Sequence, residues 1–311
     1  MSHLTDLSTN PTLRQYALGA AQEAIQPVAD FLAPMVDVQT MTGHYKSYTE
    51  KHRFHVPSTQ RANGGRATEI SFDVSDLTYN CAPHALDYPV DLIEKNEAAA
   101  IEDLVKEGAV AIAEIAALDH EKAVITAALG ALGAGTNKTW NSAADPVADL
   151  DDYILQVVKA AKYGSLMGVG VLFGAAAWRI FKNHATVRSR FVVGNPKAKA
   201  TATPTEQDSG ALFIANPDVR ASYMIYDDAP EGVAADIKFL LDSTVIVFAR
   251  KKQPTRRDPS FMKTFRCSQK WMVPRVYQRD DGRVEVAGFD WSEDVKVTNT
   301  TAGVRLNIAE S

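Results

Sequence analysis

The chain has few cysteines and no long hydrophobic run. Among its 311 residues only Cys81 and Cys267 are cysteines, and neither belongs to a CxxC pair or a cysteine–histidine cluster. This content predicts reduced thiols in a cytosolic compartment rather than a disulfide framework or a zinc site. No run of about 18 apolar residues occurs, so we expect no membrane-spanning helix. The first residues lack a basic stretch followed by an apolar one, so we expect no secretory signal.

The chain has fewer basic residues than acidic ones, 33 against 38. The formal net charge is −5, and hydrophobic and charged residues make up 46% and 23% of the chain. A surface built to hold a nucleic acid is usually basic, so a dedicated DNA-binding domain is disfavoured. The composition is that of a globular protein rather than a disordered one. The length suggests about two structural units.

The motifs of common enzyme classes are missing. No G-x-S-x-G, H-E-x-x-H or phosphate-binding glycine loop occurs. Gly168, Gly170 and Gly174 follow a predicted helix and have the wrong spacing for a dinucleotide loop, which favours tight packing. His52 and His55 are three apart on a predicted strand and point to opposite faces, which argues against a shared metal ion. We therefore expect no catalytic residue, cofactor or metal, although an enzyme with an unrecognised site stays open as an alternative.

Residues 43–80 predict a long β-hairpin. The return strand alternates, with Ile70, Phe72 and Val74 on one face, and Asn63-Gly64 is part of a turn signal. Basic residues lie on the outgoing strand and tip, and acidic residues lie on the return strand, which weakly supports their pairing. An isolated two-stranded hairpin is marginal in water. This hairpin therefore needs a further surface, either its own domain or a neighbouring subunit.

The following residues predict mixed helix and strand. One long helix is expected over 92–129, and a second over 145–163 begins at Asp145-Pro146. In the first helix an apolar side and a polar side are expected. The apolar side contains Ile101, Leu104, Val105, Gly108, Ile112 and Ile115, and the polar side contains Asp103, Lys106, Glu107, Glu114 and Glu121. Strands dominate from residue 243, and Asp281-Gly282 predicts a tight turn between two of them.

The densest basic run lies among these late strands. It consists of Arg250, Lys251, Lys252, Arg256 and Arg257. Since the overall charge is not basic, we expect this run to contact an acidic patch of a neighbouring subunit rather than DNA. A solvated loop kept soluble by its charge is the alternative.

The order and spacing of four segments resemble a known family. The segments are FLAPMVDV (31–38), the hairpin region 42–91, the helix region 93–129 and DSTVIVFARKKQPTRRDPSFMKTFR (242–266). Together they resemble the major capsid proteins of tailed bacteriophages, which have the Hong Kong 97-like fold. The region from about 136 to 242 matches least, as a helix and strand pattern only.

The resemblance implies an α+β fold with four parts. These are an N-terminal arm (1–41), an extended β-hairpin loop (42–91), a peripheral domain with a long spine helix (92–135 and 243–311), and an axial domain (136–242). Expected inter-subunit contacts of the extended loop are Tyr45, Lys51, Arg53, Arg61, Arg66, Glu69 and Asp73. The basic run forms a second contact.

The resemblance also implies a function and partners. We expect a major head protein that self-assembles as hexamers and pentamers into an icosahedral virion shell in the host bacterial cytoplasm. The shell would enclose double-stranded DNA without sequence-specific binding. Scaffolding, portal and decoration proteins would be partners, and no membrane would be involved. A nanocompartment shell of the encapsulin kind, or a smaller virion part, stays open as an alternative.

Overall fold

The structure, a computed structural model, has the mixed α+β character that the sequence predicts. It describes residues 28–48, 59–61, 63–67, 69, 74–91, 101–161, 168–194, 203–230, 232–256, 258–280 and 282–309. The predicted N-terminal arm before residue 28 lies outside this part of the chain.

The described chain contains both helices and strands, with runs of strands at its start and end. The helices are α1 (Ala29–Leu32), α2 (Ile101–Leu132), α3 (Pro146–Ala161), α4 (Ala175–Asn183), α5 (Ala185–Gly194) and α6 (Glu206–Ser209). The first strands are β1 (Met35–Val38), β2 (Thr42–Tyr48), β3 (Val74–Asn80), β4 (Ala82–Asp91), β5 (Thr136–Thr139), β6 (Gly168–Gly174) and β7 (Asp218–Ser222). The remaining strands are β8 (Ile225–Asp227), β9 (Ile237–Phe239), β10 (Thr244–Arg250), β11 (Met262–Cys267), β12 (Val273–Gln278), β13 (Val284–Val297) and β14 (Gly303–Ala309).

One five-stranded sheet is built around β13. This 14-residue strand pairs with β4, with β12 and with β11, and β1 adds to β11 in parallel. The sequence patterns RVEVAGF (283–289) and VKVTN (295–299) predict two separate strands, whereas β13 runs continuously through Val284–Val297. The predicted turn before β13 is confirmed, since Gly282 has a φ of +66° and Arg279 N–H donates to Val284 O.

A second five-stranded sheet holds the main hydrophobic core. Its order is β5-β14-β10-β6-β7, with β10 antiparallel to both β14 and β6. Residues 244–249 of β10 are all buried. The predicted boundary at residue 243 does not follow this sheet, because β10 and β14 lie in the range expected for the peripheral domain yet pair with strands of the other unit. Strand pattern alone does not reveal which sheet a strand joins.

Helix α2 is the long helix that the sequence predicts, and we call it the spine helix; its 32 residues span about 48 Å at 1.5 Å per residue. It ends at Leu132, three residues beyond the predicted end, and Gly133 follows with a φ of +63°. The predicted polar and apolar sides were partly wrong. Ile115 is 56% exposed, whereas Glu121 is 1% exposed. The helix is rich in alanine, and alanines on its buried face pack against Phe289 and Trp291. These small side chains, rather than the larger apolar ones, determine which face is buried.

Gly170 and Gly174 of β6 serve packing, as the sequence predicts. A Cβ atom on Gly170 would lie 2.6 Å from the Phe248 ring, and one on Gly174 would lie 2.1 Å from Asp242 O. Both positions are inside a strand of the second sheet. The close approach of neighbouring chain therefore explains these glycines without a nucleotide.

Helix α3 begins where the sequence predicts. Asp145 Oδ1 accepts hydrogen bonds from Val147 N–H and Ala148 N–H, and Pro146 occupies the first helical position. Its buried side packs on the second sheet. The two sheets and α2 thus form the frame that carries the loops described next.

Candidate inter-subunit surfaces

The extended loop begins as a two-stranded ladder. Strands β2 and β3 pair antiparallel from Thr42 opposite Asn80 to Tyr48 opposite Val74. Lys46 lies opposite Asp76 in this register, so residues of opposite charge are paired across the strands as the sequence predicts. This confirms the hairpin at its base.

The base of the loop is anchored on the loop's own subunit. The Tyr79 ring stacks on Phe265 of β11 with ring centres 4.7 Å apart, and Tyr45 packs on the same ring at 5.3 Å. Tyr45 was predicted to contact a neighbour, but it is 5% exposed and belongs to this intramolecular cluster. Asn80 N–H also donates to Asp294 Oδ2 at 2.7 Å. A buried aromatic contact of this kind fixes the direction in which the loop leaves the sheet.

The described tip residues of the loop are exposed. Arg61, Arg66 and Glu69 face solvent in the single chain. Arg61 Nη1 donates to Gly65 O at 2.7 Å, and Gly64 has a φ of +80°, as the turn signal requires. The other predicted contact residues of the loop, Lys51, Arg53 and Asp73, lie outside the described residues.

The basic run lies on the connection between β10 and β11. Arg250 is partly buried: its guanidinium lies 4.6 Å from the centre of the Phe31 ring, and Nη2 is 4.0 Å from Asp218 Oδ2. Burial lowers the pKa of Arg250. Lys252 is exposed and lies 3.5 Å from the same carboxylate. Lys251 is half-buried, and Arg257 lies outside the described residues.

Arg256 connects the two predicted contact regions. Its guanidinium lies 5.9 Å from the centre of the Tyr79 ring, at the base of the extended loop. The structure thus brings the basic run and the loop base together, which their sequence positions did not indicate. A neighbour that covers one of these regions would therefore meet the other as well.

A buried ion pair supports the basic connection from below. Lys263 and Asp258 side chains are each 1% exposed, with Nζ 3.3 Å from Oδ2. Lys263 Nζ also donates to Thr255 O and Asp258 O, and Asp258 accepts from Thr255 N–H and from Ser260. The pKa of Asp258 is lowered because Lys263 and these donors outweigh its burial. These bonds join Thr255, Asp258, Ser260 and Lys263 in one buried network.

A second polar cluster, between α2 and the first sheet, escaped the sequence analysis. His120 Nδ1 lies 3.1 Å from Glu293 Oε1, and Arg266 Nη2 lies 3.6 Å from Glu293 Oε2. Both His120 and Glu293 are buried, and the Arg266 guanidinium lies over the Trp271 ring. The pKa of Glu293 is lowered, since its contacts with His120 and Arg266 outweigh burial. Residues so far apart in sequence leave no local signal.

Glu121 links the spine helix to the start of the described chain. Its Oε1 accepts a hydrogen bond from Ala29 N–H at 2.8 Å, and burial raises its pKa to about 6. Since an ordinary glutamate titrates near 4.5, the folded chain holds this proton more tightly than the unfolded chain. The charged form therefore destabilises the fold above pH 6.

The Glu121→Gln variant is expected to be more stable than the wild type above pH 6, by about 2 kcal/mol. Glutamine keeps the acceptor for Ala29 N–H and removes the buried charge. The advantage should shrink as pH falls from 6 to 4.5, because the wild-type carboxyl becomes neutral. Urea unfolding at a series of pH values measures this. Equal stability of both proteins at pH 8 would contradict the role given to Glu121.

The remaining candidate chemistry finds no support in the described residues. No group of three metal-ligating side chains converges there, and no helix there is long and apolar enough to cross a membrane. Cys81 and Cys267 are both free and buried, and burial raises the pKa of the Cys81 thiol to about 11. A thiol of that pKa is a poor nucleophile at neutral pH. His52 and His55 lie outside the described residues.

Comparison with known proteins identifies the fold. No family model matches the chain, and no curated protein sequence matches it. Among solved structures, a phage-related protein from Bordetella bronchiseptica is similar, with 17% identity, a TM-score of 0.69, and coverage of 96% of this chain and 97% of that one. The capsid of cyanophage P-SCSP1u is similar at 11% identity and a TM-score of 0.56, covering 90% and 87%.

An encapsulin complex from Synechococcus elongatus is similar as well. It has 12% identity and a TM-score of 0.56, covering 92% of this chain and 88% of that one. These matches extend over nearly the whole chain, including the predicted axial region. The chain has the fold of phage capsid proteins, which the encapsulin shell shares.

Proposed function

We propose that this chain is the major capsid protein of a tailed bacteriophage, which self-assembles into an icosahedral shell around double-stranded DNA. The observation that carries the proposal is the extended loop. Its base is buried on its own subunit, while its described tip residues are exposed and have no surface to lie on in a single chain. A two-stranded hairpin needs such a surface. In a shell, the adjacent copy supplies it.

The physics of a closed shell fits these features. Contacts between different patches of identical subunits close into rings when the rotation permits, which gives hexamers and pentamers. Area buried between copies adds to the stability of each one, so a subunit gains stability on assembly. The net charge of −5 limits adhesion of packaged DNA to the wall.

A shell subunit needs no catalytic site, and we also propose that this chain has none. The proposed partners of such a subunit are scaffolding, portal and decoration proteins, besides other copies of the chain. The proposed place of the protein is the virion, after assembly in the cytoplasm of the host bacterium.

A nanocompartment shell is the second candidate, supported by the similarity to the encapsulin structure. The contents of the particle distinguish the two. Particles from infected or lysogenic cells should contain double-stranded DNA if the chain is a capsid protein. Particles that contain a protein cargo and no DNA would favour the nanocompartment.

Deletion of residues 58–66 is expected to leave the subunit folded but to abolish most closed shells. The base cluster of Tyr45, Tyr79 and Phe265 remains intact, whereas the exposed tip that would lie on a neighbour is removed. Circular dichroism and thermal unfolding measure folding, and negative-stain microscopy measures shells.

A variant in which residues 58–66 are replaced by a Gly/Ser linker of equal length is the matched control. It separates the side chains of the tip from the length of the loop, and we expect it to assemble as poorly as the deletion. Wild-type yields of closed particles from both variants would count against the role of the loop.

A further inference from the structure

The hairpin of β8 and β9 presents an apolar face to solvent. Ile225 lies opposite Phe239, and Ile237 lies opposite Asp227. The side chains of Ile225, Ile237 and Phe239 therefore share one face of the hairpin, with Asp227 at its end. Ile225, Ile237 and Phe239 are about half exposed, at 50%, 57% and 46%. Tyr226 is on the other face, where Lys122 of the spine helix lies 4.6 Å from the centre of its ring. The hairpin therefore turns its polar face to its own subunit.

The end of the hairpin is acidic. Asp228 and Asp236 both lie beside Lys238, with carboxylate oxygens 2.8 and 2.7 Å from Nζ. Asp227 adds a third carboxylate, which accepts hydrogen bonds from Ala229 N–H and Asp236 N–H. A hydrogen bond from Lys238 lowers the pKa of Asp228, and these backbone donors lower that of Asp227. Lys122 also acts on Asp228, so three carboxylates face two ammonium groups and the hairpin end carries net negative charge.

A groove with basic residues at its border lies along β7, at the edge of the second sheet. It has a volume of about 880 Å³. Its floor includes Val28, Phe31, Val219 and Ala221, which are largely buried, and the polar side chains of Gln207 and Asn216 line it as well.

Three cations border this groove, which are Arg220, Arg250 and Lys252. Arg220 and Arg250 lie 5.1 and 4.6 Å from the centre of the Phe31 ring. The two acids at the groove already have partners. Asp218 lies beside Lys252 and Arg250. Glu206 accepts hydrogen bonds from Ala221 N–H and from Tyr223 Oη.

We propose that the β8–β9 hairpin of one copy docks into the β7 groove of a second copy. The proposal rests on the proposed shell function and assigns one of its contacts. The acidic end of the hairpin matches the basic border of the groove, and the apolar face of the hairpin would cover the groove floor. Every copy carries both parts, so the contact joins unlike surfaces. Contacts of that type propagate from copy to copy and close into rings when the rotation between copies permits.

Charge reversal on each side tests the match. The variant Asp228→Lys with Asp236→Lys, and the variant Arg220→Glu with Lys252→Glu, should each lose closed particles. A chain that carries all four substitutions should regain them, because the reversed charges attract again. Arg279→Glu reverses an exposed charge outside both surfaces and should assemble normally. Circular dichroism of each variant confirms the fold.

The proposal is overturned if both two-site variants assemble like the wild type. It is equally overturned if the four-site chain folds but forms no particles.

A thiol pair tests the contact without requiring a closed shell. Val233 is 66% exposed near the end of the hairpin, and Gln207 is exposed at the groove. Val233→Cys and Gln207→Cys proteins, purified separately, mixed and treated with a mild oxidant, should form a disulfide-linked dimer. Two thiols lose two protons and two electrons, which the added oxidant accepts. The control mixture pairs Val233→Cys with Leu155→Cys, an exposed position on α3.

The two proposals fail in different ways. If the wild type forms particles but the Val233→Cys and Gln207→Cys proteins cross-link no more than the control mixture, the docking contact is overturned and the shell function stands. A cross-link stronger than the control, from a chain that never forms particles, would support the contact and overturn the shell function.

Discussion

The Lys263→Met variant is expected to lose about 3–5 kcal/mol of unfolding free energy. The lysine is fully buried. Its ammonium forms an ion pair with the Asp258 carboxylate and donates hydrogen bonds to two backbone carbonyls. Methionine fills a similar volume but leaves the Asp258 carboxylate buried without its cation. Urea unfolding followed by circular dichroism measures the loss.

A double-mutant cycle shows whether the loss comes from the pair. Asp258→Ala should also be strongly destabilising, because it removes the acceptor for Thr255 N–H and Ser260 N–H. The two changes together should cost less than their sum, since neither charge is then left alone. Arg190→Met, which removes an exposed partner of Asp145, should cost much less. Strict additivity in the cycle would contradict a coupled buried pair.

The Phe265→Ala variant is expected to lose a similar amount, about 3–5 kcal/mol. The Phe265 ring is fully buried and contacts two tyrosine rings, with Tyr79 stacked on it and Tyr45 tilted against it. Its removal leaves a cavity at the point where the extended loop is anchored. The variant should therefore also become more sensitive to proteolysis within residues 43–80 at temperatures where it stays folded.

The Phe265→Leu variant is the control for this prediction. It keeps an apolar side chain in the site and should lose less stability than the alanine variant. Tyr277→Ala removes an exposed ring on the same sheet and should change little. If Phe265→Ala unfolded like the wild type and its loop resisted protease equally, the anchor described for the loop would be wrong.

Local signals in the sequence predicted local structure well. The Asp145-Pro146 start of α3 and the turn at Gly282 each depend on residues close in the chain. The capping bonds of Asp145 and the positive φ of Gly282 show the physical basis of those predictions.

Long-range structure could not be predicted in the same way. His120 and Glu293 are 173 residues apart in the chain. Glu121 accepts a hydrogen bond from Ala29 N–H, although the two residues are 92 positions apart. In the alanine-rich spine helix the hydrophobic pattern is nearly uniform, so the partner surfaces decide which side is buried. The sheet membership of β10 and β14 likewise depends on strands elsewhere in the chain.

The predicted contact residues also divide into those that local sequence explains and those that depend on distant residues. Exposure of Arg61, Arg66 and Glu69 follows from a polar, glycine-containing tip. The burial of Tyr45 depends on Phe265, which is remote in sequence, and a strand pattern with aromatic and polar residues on both faces does not reveal it. The contact between Arg256 and Tyr79 arises only when the fold brings the β10–β11 connection beside β3.

Assembly of the wild-type chain tests the central claim most directly. The chain is expressed alone and with its scaffolding partner, then separated by size exclusion and imaged by negative-stain microscopy. We expect large closed or tubular particles, because the loop tip and the β8–β9 hairpin need a second copy to cover them. A folded protein that stays monomeric or dimeric under both conditions would contradict the account.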